Sequence, residues 1–378
     1  MKRFFTLVFA LLLTWTLLPL NAEAAALSLA SKSAVLMEKS TGTLLYDMNG
    51  HERLEPASVT KVMTLLLTME AIDAGRLAYE DTVRCSAYAA SMGGSQVYLK
   101  EGEEMTVREL LKAAAIASGN DACVALAEHI AGSEEEFVER MNERAKELGM
   151  ADTHFVNCNG LPAEGHFTSC YDIALMSREL ILKHPDIRDF TTIWMDSLRG
   201  GAFTLSSTNK LLKQYSGCTG LKTGSTSTAG YCISATAEKE GMELIAVTLN
   251  AKTSAERFND AKVLLNYGFA AYALQEITPE TPLTGIALRL AEQESVTPVL
   301  AESTVLLKKE QLGALTQELT VAQELTAPLA AGDAVGTLTV RCEEEIIAEV
   351  PVVIAEDIPK ISYRGLLTRL YRFALYSC

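Results

Sequence analysis

The sequence predicts a mixed α/β (α+β) protein: a helix–antiparallel sheet–helix sandwich, then a small all-β module and a C-terminal amphipathic helix. Three observations lead there. Residues 62–69 are apolar nearly all round, which calls for a buried central helix rather than a surface one. Residues 221–225, 231–237 and 243–250 are extended runs joined by short turns, and a long helical stretch follows them. Past Thr278-Pro279-Glu280-Thr281-Pro282 the chain changes to short runs of Val, Leu, Ile and Thr between turns such as Ala331-Gly332-Asp333.

In chain order, Lys2 and Arg3 precede an apolar run from Phe4 to Leu20 and then Ala22-Glu23-Ala24. This is the layout of a secretory signal with an A-x-A cleavage site, so residues 1–24 are expected to be removed. Residues 34–38 and 43–47 alternate around Ser40-Thr41-Gly42 and predict a hairpin. Pro56 introduces a helix from about Ser58 to Ala74, closed by Gly75. Thr106-Val107-Arg108-Glu109 reads as a capping box opening a helix towards Ala117. Ser118-Gly119-Asn120 breaks that helix from the next, over residues 121–131, and Ser133-x-x-Glu136 starts another that ends near Gly149. After the three extended runs a helix spans about residues 254–271. The expected units are residues 27–275, the β module over 276–358 and a terminal helix over 359–378. There is no internal repeat.

The chain has 378 residues and a net charge of −15, which becomes −16 once the signal takes away two positive charges and one negative. So acidic a body excludes nucleic acid as a partner and does not adhere to anionic lipid by itself. The tail is different. Residues 359–378 carry Lys360, Arg364, Arg369 and Arg372 and no acid, while Tyr363, Leu366, Leu367, Leu370, Phe373 and Ala374 share a helical face. Such a helix lies in a bilayer surface, the alternative being a helix docked on its own domain. The eight cysteines show no C-x-x-C pair, and the five histidines no H-E-x-x-H, so neither a metal nor another cofactor is expected. Disulfide pairing stays open.

Three strings carry chemistry: Ser58-Val59-Thr60-Lys61, Ser118-Gly119-Asn120 and Lys222-Thr223-Gly224, in that order. A serine hydroxyl needs a base close by, and residues three apart on a helix share a face, so Lys61 lies beside Ser58. Lysine accepts a proton only when neutral; a dry wall from residues 62–69 lowers its pKa, and Lys222 as a second cation lowers it further. A helix start also sets backbone N–H groups near a developing oxyanion. Ser207-Thr208-Asn209-Lys210 matches S-x-x-K too, but lies in a polar stretch with no helix behind it. For Ser118 and Asn120, local sequence alone favours an ordinary N-cap. The functional alternative is a proton relay through Ser118 and an amide from Asn120 that holds a substrate. Lys222-Thr223-Gly224 is expected on a strand edge, where Gly224 lets a ligand backbone approach.

With these strings the chain resembles the serine-type D-Ala-D-Ala carboxypeptidases, the low-molecular-mass penicillin-binding proteins. The resemblance extends through Glu55-Pro56-Ala57-Ser58-Val59-Thr60-Lys61, Ser118-Gly119-Asn120-Asp121-Ala122, Asn157-Cys158-Asn159-Gly160-Leu161-Pro162, Asn209-Lys210-Leu211-Leu212 and Gly220-Leu221-Lys222-Thr223-Gly224. It covers about residues 28–275, continues through Ala331-Gly332-Asp333-Ala334-Val335-Gly336 and includes the tail. It implies the penicillin-binding-protein/serine β-lactamase type of fold. It also implies peptidoglycan stem peptides ending in D-Ala-D-Ala as substrate, β-lactams as covalent inhibitors, and residence at the outer face of the cytoplasmic membrane. Ser58, Lys61, Ser118 and Lys222 are then the expected catalytic residues. Asn120, Thr223, Gly224, Ser225 and Asn209 are the expected substrate-binding residues, with backbone N–H groups of Ser58 and Ser225 as the oxyanion hole. Two positions depart from the pattern: Thr208 stands where some relatives carry Arg, and Ser225 where relatives often carry His or an aromatic residue.

Two rivals differ in kind. A serine β-lactamase shares the three strings but requires a well-placed base for rapid deacylation; the one Glu-x-x-Asn match between Asn120 and Lys222, Glu139-Arg140-Met141-Asn142, lies inside the helix that ends near Gly149, and Glu164 lies in a Pro-Ala-Glu-Gly turn. A non-catalytic wall-binding protein would have no need of the intact Ser58, Lys61, Ser118, Asn120 and Lys222.

Overall fold

The computed structural model describes residues 27–376; the expected export signal lies outside the described residues. Five antiparallel strands form the central sheet: β1 (Ser33–Glu38), β2 (Leu44–Met48), β3 (Cys218–Thr226), β4 (Gly230–Lys239) and β5 (Met242–Ala251), in the order β2-β1-β5-β4-β3. Strand β3 is an edge, and it carries Lys222-Thr223-Gly224.

Alternation along the strands explains why this sheet is covered on both faces. Val35, Met37, Ile245, Val247 and Leu249 join one core, while Ala34, Leu36, Leu244 and Ala246 join another. On the first face lie α1 (Lys61–Asp73), α2 (Val107–Ile116), α3 (Asn120–Ala131), α4 (Glu134–Glu147) and α5 (Cys170–Lys183). On the second lies α6 (Ser254–Ala271), through Phe258, Ala261, Leu264 and Leu265. Val62, Met63, Leu65, Leu66 and Met69 of α1 are all buried, as a segment apolar nearly all round requires. Both halves of the Thr106–Glu109 capping box are formed, and Ser133 accepts from the Glu136 N–H. A second capping box, Thr253 with Glu256, opens α6.

The structure differs from the sequence reading at three points. Residues 57–60 form a 3-10 turn, and the α-helix starts only at Lys61. Helix α5, unanticipated, is capped by Ser169 and buries Ile173, Met176, Ser177, Leu180 and Ile181. A four-residue helix, Leu211–Gln214, follows the stretch expected to have none.

The β module has its own core, including Ile286, Leu288, Leu307, Leu338, Val340, Val350 and Val352. Its main sheet contains β6 (Leu315–Val321), β7 (Ala334–Cys342) and β8 (Glu345–Val353). Strand Tyr272–Glu276 leaves α6 and pairs with Thr304–Lys308, so the expected junction near residue 276 falls at the end of a paired strand. Helix α7 (Tyr363–Tyr376) ends the described chain, with Tyr363, Leu366, Leu367, Leu370, Tyr371 and Leu375 exposed. The seven described cysteines are all unpaired thiols. No described helix is long and apolar enough to cross a membrane.

Gly268 marks the closest approach of α6 to the sheet. A Cβ there would stand 2.5 Å from Leu244 Cδ1 and 2.8 Å from Leu36 Cδ2. Helix propensity favours Ala over Gly by about 1 kcal/mol, whereas overfilling a packed core costs about 1–3 kcal/mol. Gly268→Ala is therefore expected to lose about 1 kcal/mol net. Urea denaturation measures it, and equal or greater stability would show that this interface yields.

Candidate active site

The turn before α1 creates the first half of the site. Side chains three apart eclipse in a 3-10 turn, so Ser58 and Lys61 meet: Lys61 Nζ lies 2.9 Å from Ser58 Oγ. Ser58 is half-buried, while Lys61 is wholly enclosed. The same Nζ donates to Asn120 Oδ1 at 2.7 Å and to the Asn159 carbonyl at 2.6 Å.

The turn is held in a conformation that L-residues seldom adopt. Ala57 has φ +49°, a cost of about 1–3 kcal/mol that its surroundings must offset. Thr60 Oγ1 donates to the Ala57 carbonyl at 2.8 Å, and His166 Nε2 lies 2.8 Å from that hydroxyl. The Val156 N–H donates to His166 Nδ1, so the imidazole proton sits on Nε2 and points at Thr60. Gly160 closes the other side: its φ is +85°, and a Cβ would stand 1.9 Å from the Ala57 carbonyl oxygen.

The second half comes from the break between α2 and α3 and from β3. Gly119, not Ser118 or Asn120, is the N-cap of α3, and no side chain caps it. The local N-cap reading is thus corrected. Ser118 sits at φ +62° with its hydroxyl taking a bond from Lys222 Nζ at 2.8 Å. Asn120, the first residue of α3, donates to the Gly93 carbonyl at 2.7 Å while its oxygen receives Lys61. Gly224 brings β3 against the nucleophile, since a Cβ there would stand 2.8 Å from Ser58 N.

Electrostatics follow from enclosure. Burial lowers the pKa of Lys61 below its ordinary value and that of Lys222 well below. Repulsion from Lys61 adds to the effect of burial at Lys222.

The structure thus brings together Ser58, Lys61, Ser118, Asn120 and Lys222, with Gly224 against the serine backbone. Thr223 is buried and shares a 2.6 Å hydrogen bond with Thr208, and Ser225 is exposed beyond it on the edge strand. Asn209 is not in the cluster. Its amide donates to the Gly220 carbonyl at 2.8 Å and accepts from the Leu211 N–H, which ties down the start of β3. Glu164 is exposed in its turn. Sequence reasoning missed the Asn159 carbonyl, the Thr60–His166 brace and Arg257, which donates to the Gly224 carbonyl. Only Asn159-Gly160 carried a signal, through its place in a recognisable string.

Comparison with known proteins shows the family. The sequence model of D-alanyl-D-alanine carboxypeptidase matches residues 20–253, and that of the penicillin-binding protein 5 C-terminal domain matches residues 283–360. D-alanyl-D-alanine carboxypeptidase DacF of Bacillus subtilis is 44% identical over 345 residues, 90% of this chain and 88% of the relative. DacC of Escherichia coli is 33% identical over 348 residues, 89% and 86% of the two chains. Penicillin-binding protein 6B of Escherichia coli superposes with a TM-score of 0.73 at 32% identity, over 86% of this chain and 96% of that one. A Listeria monocytogenes penicillin-binding protein in an ampicillin-bound form gives 0.60 at 34% identity, over 64% and 99%.

The brace on Ala57 makes stability depend on pH. Burial lowers the pKa of His166 from 6.5 to about 4, so the native state keeps it neutral where the unfolded chain takes up a proton. Stability from this group is complete above about pH 6.5 and is lost as pH falls towards 4. At ~1.4 kcal/mol per unit the loss approaches about 3 kcal/mol. Urea midpoints between pH 7 and 4, compared with His166→Gln, isolate it. Parallel curves for the two proteins would remove His166 as a buried neutral group.

Proposed function

This chain belongs to the D-alanyl-D-alanine carboxypeptidase family, and we propose that it removes the terminal D-Ala from peptidoglycan pentapeptide stems through an ester on Ser58. One observation carries the reading: Lys61 Nζ is enclosed, 2.9 Å from Ser58 Oγ, with two carbonyl oxygens as its other partners. A neutral amine has two N–H bonds and one lone pair. Asn120 Oδ1 and the Asn159 carbonyl take the two N–H bonds, so the lone pair is left facing the Ser58 hydroxyl. Ser58 then donates its proton to Lys61 as its oxygen attacks the carbonyl of the penultimate D-Ala.

The oxygen that gains charge is received by the N–H groups of Ser58 and Ser225, on two backbone segments that Gly224 allows to approach. Ser118, bonded to Lys222, passes a proton to the departing amine of D-Ala and is reprotonated from Lys61, so the proton taken from Ser58 ends on the leaving group and Lys61 is neutral again. A donor-peptide carbonyl replaces Gly93 as the acceptor of the Asn120 amide. The terminal carboxylate binds at the paired hydroxyls of Thr223 and Thr208, with the charge of Lys222 behind them. Asn209 acts at one remove by fixing β3 at Gly220. Water then cleaves the ester. β-Lactams acylate Ser58 because their strained amide presents the same carbonyl, which accords with the ampicillin-bound relative.

Residues 27–275 form the peptidase unit in this reading, and 276–358 the small β unit. Residues 359–378 supply a membrane-surface helix after export and cleavage of residues 1–24. The exposed apolar side chains of α7 support its seating in a bilayer surface, with Arg364 on the same helix. The protein is placed at the outer face of the cytoplasmic membrane as a peripheral enzyme.

Mass spectrometry of a pentapeptide incubated with the protein is expected to show loss of one D-Ala, reduced at least about 10³-fold in Ser58→Ala and in Lys61→Ala. Fluorescent penicillin is expected to label the wild type and not Ser58→Ala. Release that persists in Ser58→Ala would place the nucleophile elsewhere, and rapid multiple turnover of nitrocefin would favour a β-lactamase. Separately, deleting residues 361–378 is expected to abolish sedimentation with phospholipid vesicles while leaving peptide hydrolysis intact. Unchanged sedimentation would reject the surface-helix reading.

A further inference from the structure

Arg257 lies on α6, behind the sheet, and is only 7% exposed. Its Nη1 donates to the Gly224 carbonyl at 2.8 Å and to the Cys232 carbonyl at 3.3 Å, and Nη2 reaches Ser254 Oγ at 3.5 Å. The rings of Tyr231 and Phe258 flank the guanidinium at 5.4 and 4.7 Å. Nε is buried without a partner, and no carboxylate among the described residues lies within ion-pair distance. Burying a cation on carbonyls alone is costly, and a neutral side chain would fill the same space at lower cost. The charge therefore has work that packing does not explain.

The Gly224 carbonyl belongs to the peptide that joins Gly224 to Ser225. That peptide is trans, so its N–H points away from its C=O. Arg257 grips the oxygen on the side shared with β4, since the same Nη1 reaches the Cys232 carbonyl of that strand. The Ser225 N–H accordingly points to the unpaired edge of β3, the edge beside Ser58. A charge-assisted hydrogen bond to a peptide oxygen pulls electron density from the nitrogen and makes its N–H a stronger donor.

We propose that Arg257 is a positioning residue for acylation: its guanidinium fixes the plane of the Gly224–Ser225 peptide and strengthens the Ser225 N–H that receives the oxyanion. This rests on the reading of Ser225 N–H as an oxyanion donor in a Ser58 acylation. Arg257 touches neither substrate nor reacting atoms, and no bond is made or broken at it.

The test is stopped-flow acylation by penicillin G in the wild type and in Arg257→Lys, Arg257→Gln and Arg257→Met. The non-covalent dissociation constant is separated from the acylation rate constant, and the Ser225 amide is followed by ¹H–¹⁵N spectroscopy. Removing an oxyanion donor costs about 10²–10³-fold. Weakening one is expected to slow acylation about tenfold or more in the Met variant, with Gln intermediate, Lys fastest of the three, and the dissociation constant unchanged. The Ser225 amide proton is expected to move upfield in the same order. Wild-type acylation in a folded Met variant would overturn the proposal. So would a raised dissociation constant with an unaltered acylation rate, which would mean direct ligand contact. If the Met variant does not fold, the comparison of Lys with Gln decides, and equal rates overturn the proposal. Failure of penicillin to acylate wild-type Ser58 would instead remove the underlying reading.

Discussion

An amine cannot take a proton from serine while it is itself charged, and the surroundings of Lys61 favour its neutral form. Enclosure removes the water that would stabilise the ammonium. The two carbonyl oxygens that remain are as many acceptors as a neutral amine can satisfy. A third carbonyl in place of Ser58 would have favoured the charged state instead, because an ammonium has three N–H groups to place. The number of acceptors around one nitrogen therefore separates a base from a buried cation.

Around that nitrogen the chain assembles three basic side chains, Lys61, Lys222 and Arg257, in the interior against one edge strand. Asp121, the buried acid that follows Asn120, pairs with none of them. Its carboxylate receives the N–H groups of Val97, Leu99 and Ala122 and so builds the loop beside Asn120. So dry an environment is costly for charge, as the lowering of both lysine pKa values by burial shows. It gains most when an anion arrives. A terminal carboxylate and a developing oxyanion supply the negative charge this edge lacks, and the pairing is strongest where that charge is fully developed, in the transition state.

What was legible in the sequence follows from which interactions are local. The buried helix, the three sheet strands and the Thr106–Glu109 capping box rest on patterns within one segment, and those elements agree closely with the sequence reading. Ser58 and Lys61 were legible because three residues in a helical turn suffice to bring them together, even though that turn is 3-10. Local pattern misled at Ser118 and Asn120. Their residue types favour capping, yet long-range partners 104 and 59 residues away claim both side chains. Helix α5 carries a local signal as well, with Ser169 as its N-cap and Ile173, Met176, Ser177, Leu180 and Ile181 at helical spacing. Arg257 was invisible for another reason: a lone arginine in an amphipathic helix reads as surface, and only the sheet behind it shows that it is enclosed.

The same logic bears on how long an acyl-enzyme lasts in the proposed reaction. Fast hydrolysis needs a base that activates water on the exposed side of the ester. Glu164 is exposed in its turn, Glu139 is exposed on its helix, and Asp121 is committed to backbone. Lys61 remains, and having taken the serine proton it can serve again only after that proton has passed on to the leaving group. When a stem peptide reacts, D-Ala departs with the proton and vacates the site, so Lys61 is restored and water can enter. When a β-lactam reacts, the broken ring keeps its amine tethered to the acyl group. The tethered fragment occupies the space that water must use. Turnover of one acyl donor and retention of the other thus follow from a single base, without any difference in the attacking serine.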